Sequence, residues 1–506
     1  MGVTKLFFDW KRCALDHAAE WLTRGWTSGP LDLRRVMILV PTRHAGRRLR
    51  ERLASITARR GTAVLMGMVE TPGHLVAPPK TEEGLLASEV FAEAFWRRTL
   101  AESHPQQVAG LGPMDFAASR TVRASAAEHL VRLRGLLCEE GYTLKSFAGK
   151  TPCDKERWAC LAALEDRYLQ QLAKASWRDD ATEKLRMALH PVLPDELDRI
   201  IMLFVPDPPP LALKALEVCA ARLPVDICIH APSSSEDLFD DWGRPVPDRW
   251  VNEPLSLPPT QVEVCDDTLA MTEMIRQRVE AIPSSTRSCI TIGIGDRATA
   301  ESLEEIFIQR EIPVFDPAGR PLTSLPLFTL MARLFRFQAD HTYRSFMDLA
   351  RHPDALARLE QAASAPNILL ATLDEFQNQH MPSTFEDAVL LAGKFKPRLR
   401  DKEAAKKAGE SLILALTEAS LWMSMLKKTN DQTGLSSPLS KSLPATLSHI
   451  YHDAPADELL KESIKHLRTA LEKLAHLEPL SLDPGEASDL LQRFANTQTM
   501  TAPCPD

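Results

Sequence analysis

The sequence lacks the marks of several protein classes. No stretch approaches the ~20 apolar residues that span a bilayer, and Lys5, Asp9, Lys11 and Arg12 interrupt the N-terminus before a signal-type apolar core could form. No two cysteines stand at C-x-x-C spacing. The nine, at Cys13, Cys138, Cys153, Cys160, Cys219, Cys228, Cys265, Cys289 and Cys504, are odd in number and mostly in apolar surroundings, so they read as buried free thiols of a reducing compartment. Excess positive charge is also missing. With a formal charge of −8, any nucleic-acid binding must come from local patches. At 44% hydrophobic and 25% charged, the chain is far from the composition of disorder. These exclusions leave a soluble, cytoplasmic globular protein without a membrane partner, and 506 residues are enough for two or more domains.

What is present reads as α/β. Three short runs, Val36 to Val40, Ile200 to Val205 and Val225 to Ile229, are apolar on both faces, as strands of a parallel sheet are, and each ends at a proline or loop signal. Ala45, Leu49, Leu53 and Ile56 have helical spacing over Arg43 to Arg59, so a helix follows the first strand. Another is expected over Leu211 to Leu223. Between these parts, residues 82 to 190 read as a helical insertion. After a proline-rich linker from Pro245 to Pro259 the signature restarts. Strands are expected at Gln261 to Val264, Cys289 to Ile294 and Ile312 to Phe315, with helices over Leu269 to Ala281 and Glu301 to Gln309. From about residue 340 the sequence is again helical.

Two α/β domains, each with a helical insertion, is the layout of superfamily I helicases, and several strings resemble its AddB/RecB-like branch. Val36 to Arg50 is similar to the strand, loop and helix of a helicase motif in AddB-type proteins, and Glu70-Thr71-Pro72-Gly73-His74-Leu75 to the string that follows it. Phe239 to Pro245 with Trp250 resembles a string of bacterial relatives that join such regions to a PD-(D/E)XK nuclease. Asp316 to Leu322, Leu325 to Leu327 and Leu349 to Asp354 resemble strings of the second half. The resemblance implies two RecA-like (P-loop-NTPase-type) parallel-sheet domains: 1–80 with 191–258, and 259–340. The helical regions would be 81–190 and 341–506.

The departures bear on mechanism. A phosphate-binding loop needs glycines, then Lys and Ser/Thr, so that backbone N–H groups can wrap phosphates. At the expected position, between a strand at Lys5 to Phe8 and a helix from about Arg12, stand Asp9-Trp10-Lys11, with a carboxylate where phosphate would sit. The strand from Ile200 should end in an acidic pair for magnesium. It runs instead into Val205-Pro206-Asp207-Pro208, where Asp207 reads as a loop residue. No nucleotide cofactor and no metal are therefore expected. No nuclease signature is seen before Asp506, so that chemistry is expected downstream or in a nuclease or helicase-nuclease partner subunit.

Residues 34 to 60 hold nine arginines against the single acidic Glu51. Arg43, Arg47 and Arg50 form a stripe that begins at a strand-end loop. Two readings are open: phosphate contact with a DNA strand or duplex end, and a solvated face paired with carboxylates from elsewhere. Thr42 and Thr71 sit in loops where the resembling helicases touch single-stranded DNA, and would look the same as caps. Lys394, Lys396, Arg398, Arg400, Lys402, Lys406 and Lys407 read as a solvated run. His74, His230 and His352 lack metal-site spacing. Ser233 to Ser235 lacks a nucleophile elbow, and Gly293-x-Gly295 lacks the third glycine of a dinucleotide site. The expectation is a non-catalytic, helicase-like DNA-binding scaffold of an end-processing exonuclease in double-strand-break repair. The alternatives are an active ATP-dependent helicase and a protein-interaction module.

Overall fold

The computed structural model describes residues 2–79, 84–112, 115–116, 118–151, 153–254, 258–283, 290–427, 437–452, 457–477, 480 and 484–500. The chain forms two compact units, Met1–Val264 and Cys265–Asp506. None of the described helices is long and apolar enough to cross a membrane.

The first unit is built on strands β1 (Val3–Phe7), β2 (Val36–Leu39), β3 (Met68–Glu70), β4 (Arg199–Leu203) and β5 (Val225–Ile229), with helices α1 (Ala14–Leu22) and α2 (Arg43–Arg59). The sheet is parallel throughout, in the order β1-β5-β4-β2-β3. Alternation along each strand feeds two layers. Ile38, Val40, Val69, Ile201, Leu203 and Cys228 pack under α1 and α2. Met37, Leu39, Ile200, Met202, Ile227 and Ile229 pack under α6 (Asp180–Leu189) and α7 (Pro210–Ala220). This is why β2 and β4 read as unbroken apolar runs: neither face of these central strands meets water. Burying one such side chain stabilises by about 1.5–3 kcal/mol.

Two glycines let the layers close. A Cβ on Gly46, inside α2, would lie 3.1 Å from Val69 Cγ1 and 3.3 Å from Val40 Cγ2, so a larger residue there would lift the start of α2 off the sheet. At Gly67, just before β3, a Cβ would stand 2.3 Å from the Leu33 carbonyl oxygen and 2.4 Å from that of Val36. The strand β3 itself escaped the sequence reading, being only three residues long with Glu70 at its end.

The helical insertion comprises α3 (Glu89–Ala101), α4 (Arg120–Glu139) and α5 (Lys155–Lys174), with a parallel pair of short strands, Leu85–Ala87 and Trp177–Asp179. Its centre is polar. Arg134 donates to Glu165 at 2.8 Å and, through both terminal nitrogens, to Asp179 at 2.8 Å. Tyr168 Oη and Thr182 N each donate to Asp179 at 2.9 Å. Burial alone would raise the Asp179 carboxyl, yet the Arg134 guanidinium and Thr182 hold it below its ordinary value. Trp96 stacks on Tyr168 at 4.5 Å. The last helix of the expected insertion, α6, belongs instead to the sheet, where Met187 and Ala188 join the core.

The second unit differs from expectation. Helices α8 (Thr268–Glu280) and α9 (Arg297–Gln309) form as read, but no parallel sheet forms among the described residues of this unit. Gln261 to Val264, Ile290 to Ile294 and Ile312 to Phe315 are not paired strands, and Cys289 lies outside the described residues. Ile290, Ile292 and Ile312 do pack on Val279, Leu303 and Phe307. Thr291, Gly293 and Ile294 stay exposed, so only one side of this layer is covered. The rest is helical: α10 (Pro326–Asp340), α11 (Tyr343–Ala350), α12 (Pro353–Ala362), α13 (Leu369–His380), α14 (Phe385–Ala392), α15 (Lys402–Lys427), α16 (Ser437–Ile450), α17 (Glu458–Ala475) and α18 (Pro484–Thr497). One antiparallel pair, Arg320–Pro321 with Thr499–Met500, is added. The thiols are less uniformly buried than expected. Cys138, Cys219 and Cys228 are buried, whereas Cys13 and Cys153 sit exposed in loops; Cys289 and Cys504 lie outside the described residues.

Candidate nucleic-acid interface

At the carboxyl edge of the five-stranded sheet, chain connections diverge. From β2 the chain passes through α2 to β3, and from β4 it passes through α7 to β5 on the opposite face. Such a switch point leaves a crevice outside the strand ends, where open α/β sheets bind ligands. Val40 N donates to the Glu70 carbonyl at 2.8 Å, which sets the end of β2 beside that of β3. Thr42 and Thr71, which follow those strands, are thereby brought to the same edge.

Their hydroxyls have different duties. Thr42 caps α2, accepting from Ala45 N at 3.0 Å. Thr71 makes no capping bond with its side chain, although its carbonyl accepts from His74 N at 2.9 Å. His74 is exposed on the turn that follows.

The nine arginines separate in the same way, and Arg59, in the last turn of α2, is exposed with no ion pair among the described residues. Arg34 is bound by Asp32 and Arg35 by Asp198, each at 2.7 Å. Arg52 reaches Asp16 on α1 at 2.7 Å. Arg60 donates to the Trp26 carbonyl at 3.2 Å and lies over the Trp26 ring. Arg50 donates to the Val69 carbonyl at 2.9 Å and so braces α2 against β3. The stripe Arg43, Arg47 and Arg50 is therefore not one surface. Arg50 turns to the sheet, while Arg43 is exposed at the first position of α2 with no ion pair among the described residues. Arg47 and Arg48 share one carboxylate, Glu51, at 3.5 and 3.3 Å. The first turn of α2 has no acidic residue. Basic side chains there oppose the helix dipole, and the basicity of His44 is lowered by burial, then by Arg47 and Arg48.

Beside this edge, the expected nucleotide position is occupied by side chains. Trp10 Nε1 donates to the His230 carbonyl at 2.7 Å, His17 Nε2 to the Asp9 carbonyl at 3.0 Å and His230 Nε2 to the Arg12 carbonyl at 3.2 Å. Phe8 stands edge-on to Phe204 at 5.4 Å, Phe204 lies 5.5 Å from His230, and His230 lies 6.0 Å from His17. Phe204 holds φ +54° at the end of β4, a left-handed conformation uncommon for a bulky side chain. The turn from Asp9 to Arg12 is thus pinned onto the ends of β1, β4 and β5. The sequence analysis named His230 only as lacking metal-site spacing, placed Phe204 only within a strand, and did not single out His17. The aromatic residues Phe204 and His230 directly after β4 and β5 were the available signal; their convergence with His17 of α1 was not.

Other residues singled out in the sequence take structural places. Asp207 is exposed in the proline loop before α7. Asp296, beside Gly295, caps α9 by accepting from Thr299 N at 2.8 Å. Ser233 to Ser235 open a short 3-10 turn. Lys406 and Lys407 lie along α15, 3.9 Å from Glu410 and Glu403. No protein-family model and no curated protein matches the chain.

Proposed function

We propose that this chain is a helicase-like scaffold, RecA-like in its first unit, that grips a DNA strand by its phosphates at the carboxyl edge of the sheet without turning over nucleotide. In this reading a nuclease domain or helicase-nuclease partner performs the chemistry of break repair and recombination. The observation that carries it is the asymmetry of α2. Arg50 and Arg52, deeper in the helix, are engaged by a carbonyl and a carboxylate, while Arg43 stands exposed at its first position with no ion pair among the described residues and no acidic residue in that first turn. Guanidiniums at a helix N-terminus make an edge suited to phosphate oxygens, and Thr71, which follows the neighbouring strand, makes no capping bond with its side chain. The pinned turn at Asp9 to Arg12 supports a scaffold over a motor, because a triphosphate would have to displace the bonds of Trp10, His17 and His230.

The test is anisotropy of labelled, tailed DNA over a salt series. Replacing Arg43 and Arg47 by Ala should weaken binding and lower the slope of log affinity against log salt by about 0.7 for each lost single-strand phosphate contact. Arg50→Ala should leave that slope unchanged. The reading fails if the double variant binds with the parent's affinity and slope, and saturable magnesium-ATP binding would restore the motor alternative. The interaction-module reading draws support from the engaged arginines, and parent protein that ignores DNA at low salt would favour it.

A further inference from the structure

Helices α10 and α11 meet at a cavity of about 270 Å³ lined by Arg333, Arg336, Ser345, Asp348 and Arg351. Three guanidiniums face one carboxylate across it. The placement follows from helical spacing, since residues three apart share a face. Arg333 and Arg336 lie on α10; Ser345, Asp348 and Arg351 descend α11 to its C-cap. Behind the cavity both helices are firmly seated: Leu330, Leu334, Phe337, Phe346 and Leu349 are fully buried. The rows that carry the charges are therefore held before any ligand arrives.

The ion pairs within the cleft are weak enough to yield. Arg336 stands 3.5 Å from Asp340 and 3.6 Å from Asp348, with its side chain 59% exposed. Arg351 reaches Asp374 at 2.8 Å, about half exposed. Such surface pairs contribute roughly 0–1 kcal/mol each. Arg333 is different. Its only bond among the described residues is donated to a neutral acceptor, the Asp348 carbonyl, at 2.7 Å, which fixes the guanidinium without cancelling its charge. The field of that charge is felt nearby, where the basicity of His352 is lowered first by burial and also by Arg333.

We propose that this cleft is a phosphate-binding site, taking inorganic phosphate or the terminal group of a small phosphomonoester. Guanidinium forks match phosphate oxygens two at a time. At about 30 Å³ per water, the cavity has room for roughly nine waters, enough for a phosphate with a short organic group. It is below the roughly 300–1,000 Å³ of sites for larger ligands. The cleft belongs to the second unit and the edge at Arg43 to the first, and the proposal does not depend on DNA binding there.

Isothermal titration of the full chain with inorganic phosphate, in a buffer low in competing anions, tests it. One saturable site is expected, weakened about tenfold or more in Arg333→Ala. Arg351→Ala, at an exposed position, should weaken it as well and guards against misfolding of the first variant. Lys406→Ala, on the solvated face of α15, should bind like the parent. A parallel titration with glycerol 3-phosphate distinguishes the source: tighter binding than phosphate assigns the site to a phosphomonoester, weaker binding to the free anion. The proposal is overturned by the absence of saturable phosphate binding, or by parent-like affinity in both arginine variants. Loss of DNA affinity alone in those variants would also overturn it, in favour of a backbone contact.

Discussion

The two units carry the same local signature, a short apolar segment followed by an amphipathic helix, and close different layers with it. In the first, Ile200, Ile201, Met202 and Leu203 are buried in succession, because α1 and α2 cover one face of β4 and α6 and α7 the other. In the second, Ile290 and Ile292 rest on α8 and α9 while Thr291 and Ile294 face outward. A segment covered on one side only, whose N–H and C=O groups pair with no strand among the described residues, gains little by leaving water. The difference teaches that unbroken apolar runs mark a parallel sheet more securely than alternation does.

Three perturbations would break or sharpen that contrast. The largest effect is expected from Arg134→Ala in the insertion of the first unit. It would leave Glu165 and Asp179 buried without their cation and cost about 3–5 kcal/mol. Hydrogen exchange should then rise across α4 and α5, and unchanged protection would show that the network is dispensable. Next comes a matched pair. Ile201→Ala removes a side chain 2% exposed under α1 and α2, with an expected loss of about 2–4 kcal/mol. Ile292→Ala should cost less than about 1 kcal/mol, since its site is half open. Urea midpoints of the two variants read the difference, and equal shifts would mean that the second unit holds a closed layer after all.

The smallest effect concerns His352. Its Nδ1 accepts from Asp354 N at 3.2 Å and its Nε2 lies 2.9 Å from Thr329 Oγ1, a pattern satisfied by the neutral ring. Burial holds its basicity below the ordinary 6.5. Protons therefore bind the unfolded chain more readily, so this contribution is present above about pH 6.5 and is lost as pH falls through the lowered folded value. Melting temperature followed across that range should drop less steeply in His352→Gln than in the parent. Parallel curves would remove His352 from the acid response.

Much of the first unit was legible beforehand. Strands at Val36, Ile200 and Val225 and the helix over Arg43–Arg59 were all readable, because burial on two faces and helical spacing are written locally. At the candidate edge the residue types were visible and their engagements were not. Thr42 and Thr71 look alike in sequence, and only the first spends its hydroxyl on a cap. Arg50 shares its stripe with Arg43, but a carbonyl on β3 holds it.

By itself the sequence determined the periodicities, and hence the element types, the two-sided strands and the concentration of arginines in residues 34 to 60. Tertiary structure decided which of those charges remain unspent, what fills the ends of β1, β4 and β5, and that three arginines of α10 and α11 share a cleft. The physical reason is range. A helix or strand is fixed by neighbours a few residues away, whereas a side chain's partner is fixed by packing, as when His230 bonds the carbonyl of Arg12 across 218 residues of chain.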